Sequence, residues 1–243
     1  MNGKNYSRNK PAGIALMIIA VFAAMVIFHR MGCYLYEYDP QFAPYDYGRF
    51  NFFSFFTVQS NIFVCIYLFI ISLSYLGIKS ADKAAYNPVL TVLVTTYIII
   101  TGAVYCAGIP LGFTPPFVWK DSVHSMSSFI QIYHHMIIPP LMIILLVLRK
   151  NSAKFKYKYL PFTGIYPFVY SVFSIIRGAV SNPPFFAYPF YNPEFVYGLF
   201  FKSGDAGLKG YFLMIPLLIL GISLFIATSA AVAVIYNKKA VEK

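Results

Sequence analysis

Charge is scarce in this chain: only 11% of its 243 residues are Asp, Glu, Lys or Arg, against 59% hydrophobic. A soluble domain is about a quarter charged, so a water-exposed globular domain is excluded and an integral membrane protein is implied. The three cysteines, Cys33, Cys65 and Cys106, are scattered, with no CxxC and no Cys/His cluster. That leaves neither a disulfide framework nor a structural metal. A bridge between Cys33 and Cys106 requires both to face outward, and free thiols are the simpler reading. Carboxylates are fewer still, eight in all, and none lies inside a long apolar run. A complete Ser-His-Asp arrangement inside the membrane is therefore excluded, as is a carboxylate-completed metal site. No HExxH is present either, so no metal and no cofactor are implied. No internal repeat, low-complexity tract, soluble domain or cleavable leader is evident, and the first apolar run reads as an uncleaved span.

What is present is membrane-length apolar sequence. A helix needs about 20 apolar residues to cross a bilayer core. Six segments qualify, at about 12–28, 52–76, 88–110, 125–148, 160–178 and 211–236. The fold expected is all-α, a six-helix bundle forming a single transmembrane domain over 1–243. Pro161 and Pro167 interrupt the fifth segment, which is tolerated where neighbouring helices satisfy the freed carbonyls.

Lysine and arginine are distributed unevenly. The amino terminus, the loops after spans two and four, and the carboxyl tail hold 13 of the 19. Arg30, Arg49, Lys120, Arg177, Lys202 and Lys209 fall on the other side, with six of the eight acids. The positive-inside rule makes the basic side cytoplasmic and puts both termini there. The net charge of +11 is thus a topology signal and an attraction to anionic lipid, not a nucleic-acid footprint. The expected location is a bacterial plasma membrane. Residues 33–50 and 183–201, on the opposite side, are crowded with Tyr, Phe and Pro. They read as headgroup-level anchors or as a lid over a cavity that admits a lipid chain. Prolines 183, 184, 189 and 193 stop the second segment from spanning.

Polar residues inside the spans are few, which makes them informative, because lipid tolerates them only where they pair or act. In span two, Ser54, Thr57 and Asn61 fall on one helical stripe with Ser60 at its border, while Gln59 points elsewhere. In span four, Ser128, Gln131 and His135 repeat the same spacing, with His134 turned about 100° away. Thr57 lies about 9 Å and His135 about 15 Å below the outer boundary by helical rise, depths compatible with contact. Burial keeps an imidazole neutral, and a neutral imidazole can accept a hydroxyl proton. That would turn a threonine into a nucleophile, with Asn61, Ser60 or Gln131 steadying an oxyanion or the ring. The competing reading is that these groups are interhelical glue.

The ordered segments FFSFFTVQSNIF, HHMIIPPLMI, YPFVYSVFSIIRG and YPFYN resemble the androgen-induced-gene family of six-span membrane proteins, most closely its bacterial branch. Animal members of that family are membrane threonine hydrolases that cleave fatty acid esters of hydroxy fatty acids. They use a threonine in span two, after an aromatic and apolar pair, and a histidine in span four, four or five residues before a proline. Phe55-Phe56-Thr57 fits the first position. His135 fits the second with Pro139 or Pro140, and His134 fits it with Pro139 only. Val58-Gln59-Ser60-Asn61 departs from the animal pattern in the style of the bacterial branch. By the resemblance, Arg177 and Tyr188 match the end of span five and the loop after it. Arg177 could hold a lipid carboxylate or snorkel as an anchor, and Ser54, His134 and Tyr188 join it as substrate-contacting candidates. The expected function is a lipid-ester hydrolase acting on membrane-borne acyl esters; the alternatives are a non-catalytic lipid-binding or transport protein and a structural partner.

Overall fold

The computed structural model describes residues 8–36, 49–114, 117–182, 184–201, 204 and 206–240. Of the first aromatic segment (33–50), residues 37–48 lie outside the described residues; of the second (183–201), Pro183 does. The elements in order are α1 (Lys10–Tyr36), a 3-10 turn (Arg49–Ser54), α2 (Phe56–Leu76), α3 (Lys79–Ala85), α4 (Pro88–Gly108), α5 (Ser122–Ile132), a π turn (Tyr133–Ile137) and α6 (Ile138–Leu148). A second 3-10 turn (Tyr157–Gly164), α7 (Ile165–Val180), a third 3-10 turn (Pro189–Tyr191), α8 (Pro193–Phe200) and α9 (Gly207–Lys238) follow. No strand occurs among the described residues beyond one isolated bridge, Asn151 to Ala240. Six helical stretches are long and apolar enough to cross a membrane: Lys10–Tyr36, Phe56–Leu76, Pro88–Gly108, Ser122–Leu148, Tyr157–Val180 and Gly207–Lys238.

The chain divides into two compact units, Met1–Tyr159 with Ser229–Lys243, and Leu160–Thr228. In the first, α1 and α2 pack through Leu16, Ala20, Ala23, Val64, Leu68 and Ile71, joined in the same core by Ile98, Ile130, Ile138 and Met142. The small side chains on α1 bring the backbones close, and the Ser72 hydroxyl donates to the Gly13 carbonyl at 2.8 Å. Span one is longer than its hydropathy implies. Arg30 is only 5% exposed; it donates to Ser127 Oγ at 3.4 Å and lies 5.3 Å from the Tyr34 ring. Its charge is housed inside the unit, so the helix continues to Tyr36. Cys33 is buried, Cys106 is exposed, and no disulfide joins them.

Local chemistry sets the helix ends. Asn87 accepts from the Val89 and Leu90 amides at 2.9 and 3.1 Å, with Pro88 at the first helical position of α4. Gly77, at φ 109°, closes α2 in a Schellman arrangement, its amide on Ser74 and that of Ile78 on Leu73. Span five accommodates its prolines by geometry: Pro161 lies in the 3-10 turn and Pro167 in the first turn of α7, where no intrahelical donor is lost. Within the second unit, Ser171 Oγ lies 2.8 Å from Tyr191 Oη, and Tyr170, Tyr188, Phe190 and Tyr191 form an aromatic cluster. The eight residues of α8 are too few to span.

One end of the first unit is tied by charge. Arg8 donates to both Asp82 oxygens at 2.8 and 2.7 Å and to the Ser74 carbonyl, while Ser74 Oγ donates to Asp82 at 2.6 Å. Arg149, which the sequence puts among the basic residues of the loop after span four, follows the end of α6 and is 4% exposed. It donates to Tyr67 Oη at 2.9 Å and the Ala85 carbonyl at 2.6 Å and faces the Tyr86 ring at 4.3 Å. Burial pushes the Asp82 carboxyl up, but the hydrogen bonds from Arg8 and Ser74 and the charges of Arg8 and Lys79 outweigh it and hold it below its ordinary value. A depressed folded value stabilises the fold above the unfolded carboxylate value of about 3.9 and loses that contribution as the pH falls through the folded value. Asp82→Ala is therefore expected to cost about 2 kcal/mol at pH 7, with the gap to wild type closing on acidification. Thermal unfolding of the detergent-solubilised protein from pH 3 to 7 checks this, and a variant as stable as wild type at pH 7 contradicts the clamp.

Candidate active site

Thr57 is the second residue of α2. The helix starts there because Phe55 is extended, at φ −89° and ψ 127°. This removes Ser54 from the helical stripe; it lies in the preceding 3-10 turn, buried. Thr57 Oγ1 is thus carried in a first helical turn, where the helix dipole presents its positive end.

His135 is carried by the π turn Tyr133–Ile137, in which the Ile138 amide donates to the Tyr133 carbonyl five residues back. The cause is the pair Pro139-Pro140. Neither has an N–H, so the carbonyls of His135 and Met136 lose their usual donors, and the rings push the chain away from them. Widened turns of this kind appear mostly as single insertions within α-helices. Gly102 on α4 packs directly on this turn: a Cβ there would lie 2.7 Å from the His135 carbonyl oxygen and 2.8 Å from Pro139 Cγ.

The geometry that results is a connected chain of groups. His135 Nδ1 lies 2.8 Å from the Gln131 carbonyl oxygen, and His135 Nε2 lies 3.2 Å from Thr57 Oγ1. A carbonyl only accepts, so Nδ1 carries the hydrogen, and in the neutral ring Nε2 is a bare acceptor. The Thr57 hydroxyl then donates to Nε2. Gln131 orients the imidazole through its backbone and not through its side-chain amide. Tyr105 stacks on the other side of this arrangement, its ring centroid 3.7 Å from that of His135 at 14°.

The neighbouring polar groups are committed elsewhere. Asn61 Nδ2 donates to the Thr57 carbonyl at 2.9 Å and the His134 carbonyl at 3.4 Å. Ser60 Oγ donates to the Thr57 carbonyl at 3.0 Å and lies 2.8 Å from Thr101 Oγ1. These side chains, expected from sequence to steady an oxyanion, knit α2 to α4 and to the π turn. Gln59 donates to the Phe53 carbonyl at 2.7 Å, away from the pair. Ser128 of the span-four stripe accepts from the Val118 amide at 2.9 Å and donates to its carbonyl at 3.0 Å, fixing the loop ahead of α5.

His134 is buried, and its Nε2 has no hydrogen-bond partner among the described residues. Arg177 and Tyr188 belong to the second unit, where Arg177 lies 4.7 Å from the Phe185 ring and Tyr188 stacks on Phe190 at 5.2 Å. Sequence reading missed Thr101, Gly102 and Tyr105. A signal existed: Tyr97, Thr101 and Tyr105 recur at i, i+4 and i+8 on span three, one face of a helix.

Comparison with protein-family models, curated proteins and solved structures gives no match to this chain. The site is therefore read from its own geometry. Gly102→Ala is expected to cost about 1–3 kcal/mol through overpacking, because the atoms it meets are a backbone carbonyl and a proline ring with no room to yield. Thermal unfolding measures it, and unchanged stability contradicts the close packing of α4 on the π turn.

Proposed function

We propose that this chain is a membrane-embedded lipid-ester hydrolase with Thr57 as nucleophile and His135 as base. One observation carries the reading: a threonine hydroxyl donating to an imidazole nitrogen whose acceptor state is set by a backbone carbonyl on the ring's other side. The arrangement has the parts an activated nucleophile requires, a hydroxyl, a base within reach and a group orienting the base. The resemblance of the ordered motifs to the androgen-induced-gene family supports the same pair and points to fatty acid esters of hydroxy fatty acids as the substrate class.

In the reaction, Thr57 Oγ1 bonds to the ester carbonyl carbon as its proton passes to His135 Nε2. The carbonyl π pair moves to oxygen, giving a tetrahedral oxyanion, which the positive end of α2 favours. When the oxyanion collapses, the bond to the alcohol breaks and Nε2 returns the proton to the leaving oxygen. Water, deprotonated at the same nitrogen, then bonds to the acyl carbon; as the bond to Thr57 Oγ1 breaks, Nε2 returns the proton to that oxygen and the fatty acid is released. The Gln131 carbonyl holds the ring and favours its protonated form during each transfer.

The excess of lysine and arginine at the termini and in the loops after spans two and four supports a plasma-membrane protein with both termini cytoplasmic. A non-catalytic reading has one observation in its favour, the use of Ser60 and Asn61 as interhelical bonds. It does not account for a hydroxyl aimed at a tautomer-locked imidazole.

A lipophilic fluorophosphonate is expected to label the purified protein. The Thr57 oxygen bonds to phosphorus, fluoride leaves, and the proton goes to Nε2. Thr57→Ala abolishes the label, His135→Ala slows labelling by about 10²–10⁴-fold, and His134→Ala slows it far less. An adduct formed equally well in Thr57→Ala rejects the assignment. A panel of lipid esters run on wild type and His135→Ala identifies the substrate class.

A further inference from the structure

Tyr105 stacks on the candidate base. Its ring stacks on His135 at 3.7 Å and 14° and, further out, on Phe117 at 6.4 Å and 30°. The outer member is itself fixed, because Ser128 holds both the amide and the carbonyl of Val118, the residue beside Phe117. The backbone is held too: Thr114 Oγ1 donates to the Tyr105 carbonyl at 3.4 Å. The ring is partly exposed, but its hydroxyl is buried and has no hydrogen-bond partner among the described residues. A buried tyrosine hydroxyl normally finds a partner, and leaving it unpaired costs the desolvation of that group. Phenylalanine would supply the same stack without that cost. The hydroxyl stands one bond beyond a ring stacked on the imidazole that accepts from Thr57. The groups that sequence assigned to oxyanion stabilisation, Ser60 and Asn61, are spent on backbone carbonyls and Thr101.

The geometry points to Tyr105 as the oxyanion donor of this site and the residue that positions His135: its hydroxyl donates to the ester carbonyl oxygen, and its ring holds the imidazole plane towards Thr57. This inference rests on the hydrolase reading. As Thr57 Oγ1 bonds to the carbonyl carbon and its proton moves to Nε2, the π pair arrives on the carbonyl oxygen. The Tyr105 O–H, unpaired before substrate binds, then gains a charge-assisted hydrogen bond that is strongest in the transition state. The substrate class that fits is a neutral carboxylic ester, whose carbonyl oxygen can take this donor.

Two substitutions separate the roles. Tyr105→Phe removes the hydroxyl and keeps the stack; Tyr105→Leu removes both. The readouts are steady-state hydrolysis of a medium-chain p-nitrophenyl ester by the full-length protein in detergent, across pH, and the rate of fluorophosphonate labelling. Tyr105→Phe is expected to lower kcat about 100-fold with KM and the pH profile unchanged. Tyr105→Leu is expected to lower kcat further and to shift the pH profile, because the base is no longer held. A Tyr105→Phe enzyme with wild-type kcat, or one changed in KM alone, overturns the donor role and leaves the hydrolase reading standing. A Tyr105→Leu enzyme that matches Tyr105→Phe in kcat and profile overturns the positioning role. Should the Leu variant fail to fold, the Phe variant still decides the donor role. A wild-type protein that neither hydrolyses the ester nor takes the label overturns the hydrolase reading and this inference with it.

Discussion

The hydrogen bond from His135 Nδ1 to the Gln131 carbonyl, at 2.8 Å, is the constraint on which the rest of the site depends. It leaves Nε2 as an acceptor and aims it at Thr57. In most hydrolytic triads a carboxylate does this work, but a carboxylate inside a bilayer carries a heavy desolvation cost. No span of this chain contains one. A backbone carbonyl supplies the same orientation without introducing charge, which suits a site in an apolar bundle. What it gives up is the full stabilisation of an imidazolium by an opposite charge, so in the proposed mechanism the face of the stacked Tyr105 ring carries more of that burden.

The setting of that bond follows from a local disagreement between sequence and helix. Pro139 and Pro140 withhold two donors, the helix widens over Tyr133–Ile137, and Gly102 lets α4 close against the widened turn. The bonds from Asn61 to the Thr57 and His134 carbonyls and the Ser60–Thr101 contact then lock α2, α4 and the π turn together. Each of these polar groups is satisfied inside the bundle, which apolar surroundings demand. The result is a preorganised pair: Thr57 and His135, the proposed nucleophile and base, are carried on elements that these interhelical bonds hold together.

Much of this was legible in residue spacing, and the misses have physical causes. Six spans could be read from apolar length alone, because bilayer thickness imposes a threshold that little else in a sequence meets. The shared face of Gln131 and His135 followed from helical repeat. Ser54 was misplaced because nothing in FFSFF announces that Phe55 is extended. Arg30 and Arg149 were read as lying beyond the spans, because hydropathy counts a guanidinium as exposed; here Ser127 shelters the first, and Tyr67, Tyr86 and the Ala85 carbonyl shelter the second. The donor capacity of Asn61 and Ser60 was visible, but not that nearby carbonyls compete for it. The prolines signalled a disrupted helix without saying that it would widen and not kink. Tyr105 was passed over because a search for polar stripes weighs an aromatic residue as wall, and its stacking partner lies on another span.

Nitrogen-15 NMR of the histidine-labelled protein in micelles at neutral pH tests the central claim most directly, since it reports which ring nitrogen carries hydrogen. The account predicts a neutral His135, protonated at Nδ1 and bare at Nε2, with the Nε2 resonance moving when Thr57 is replaced by Val. A ring protonated at Nε2, or one indifferent to Thr57, would contradict the account.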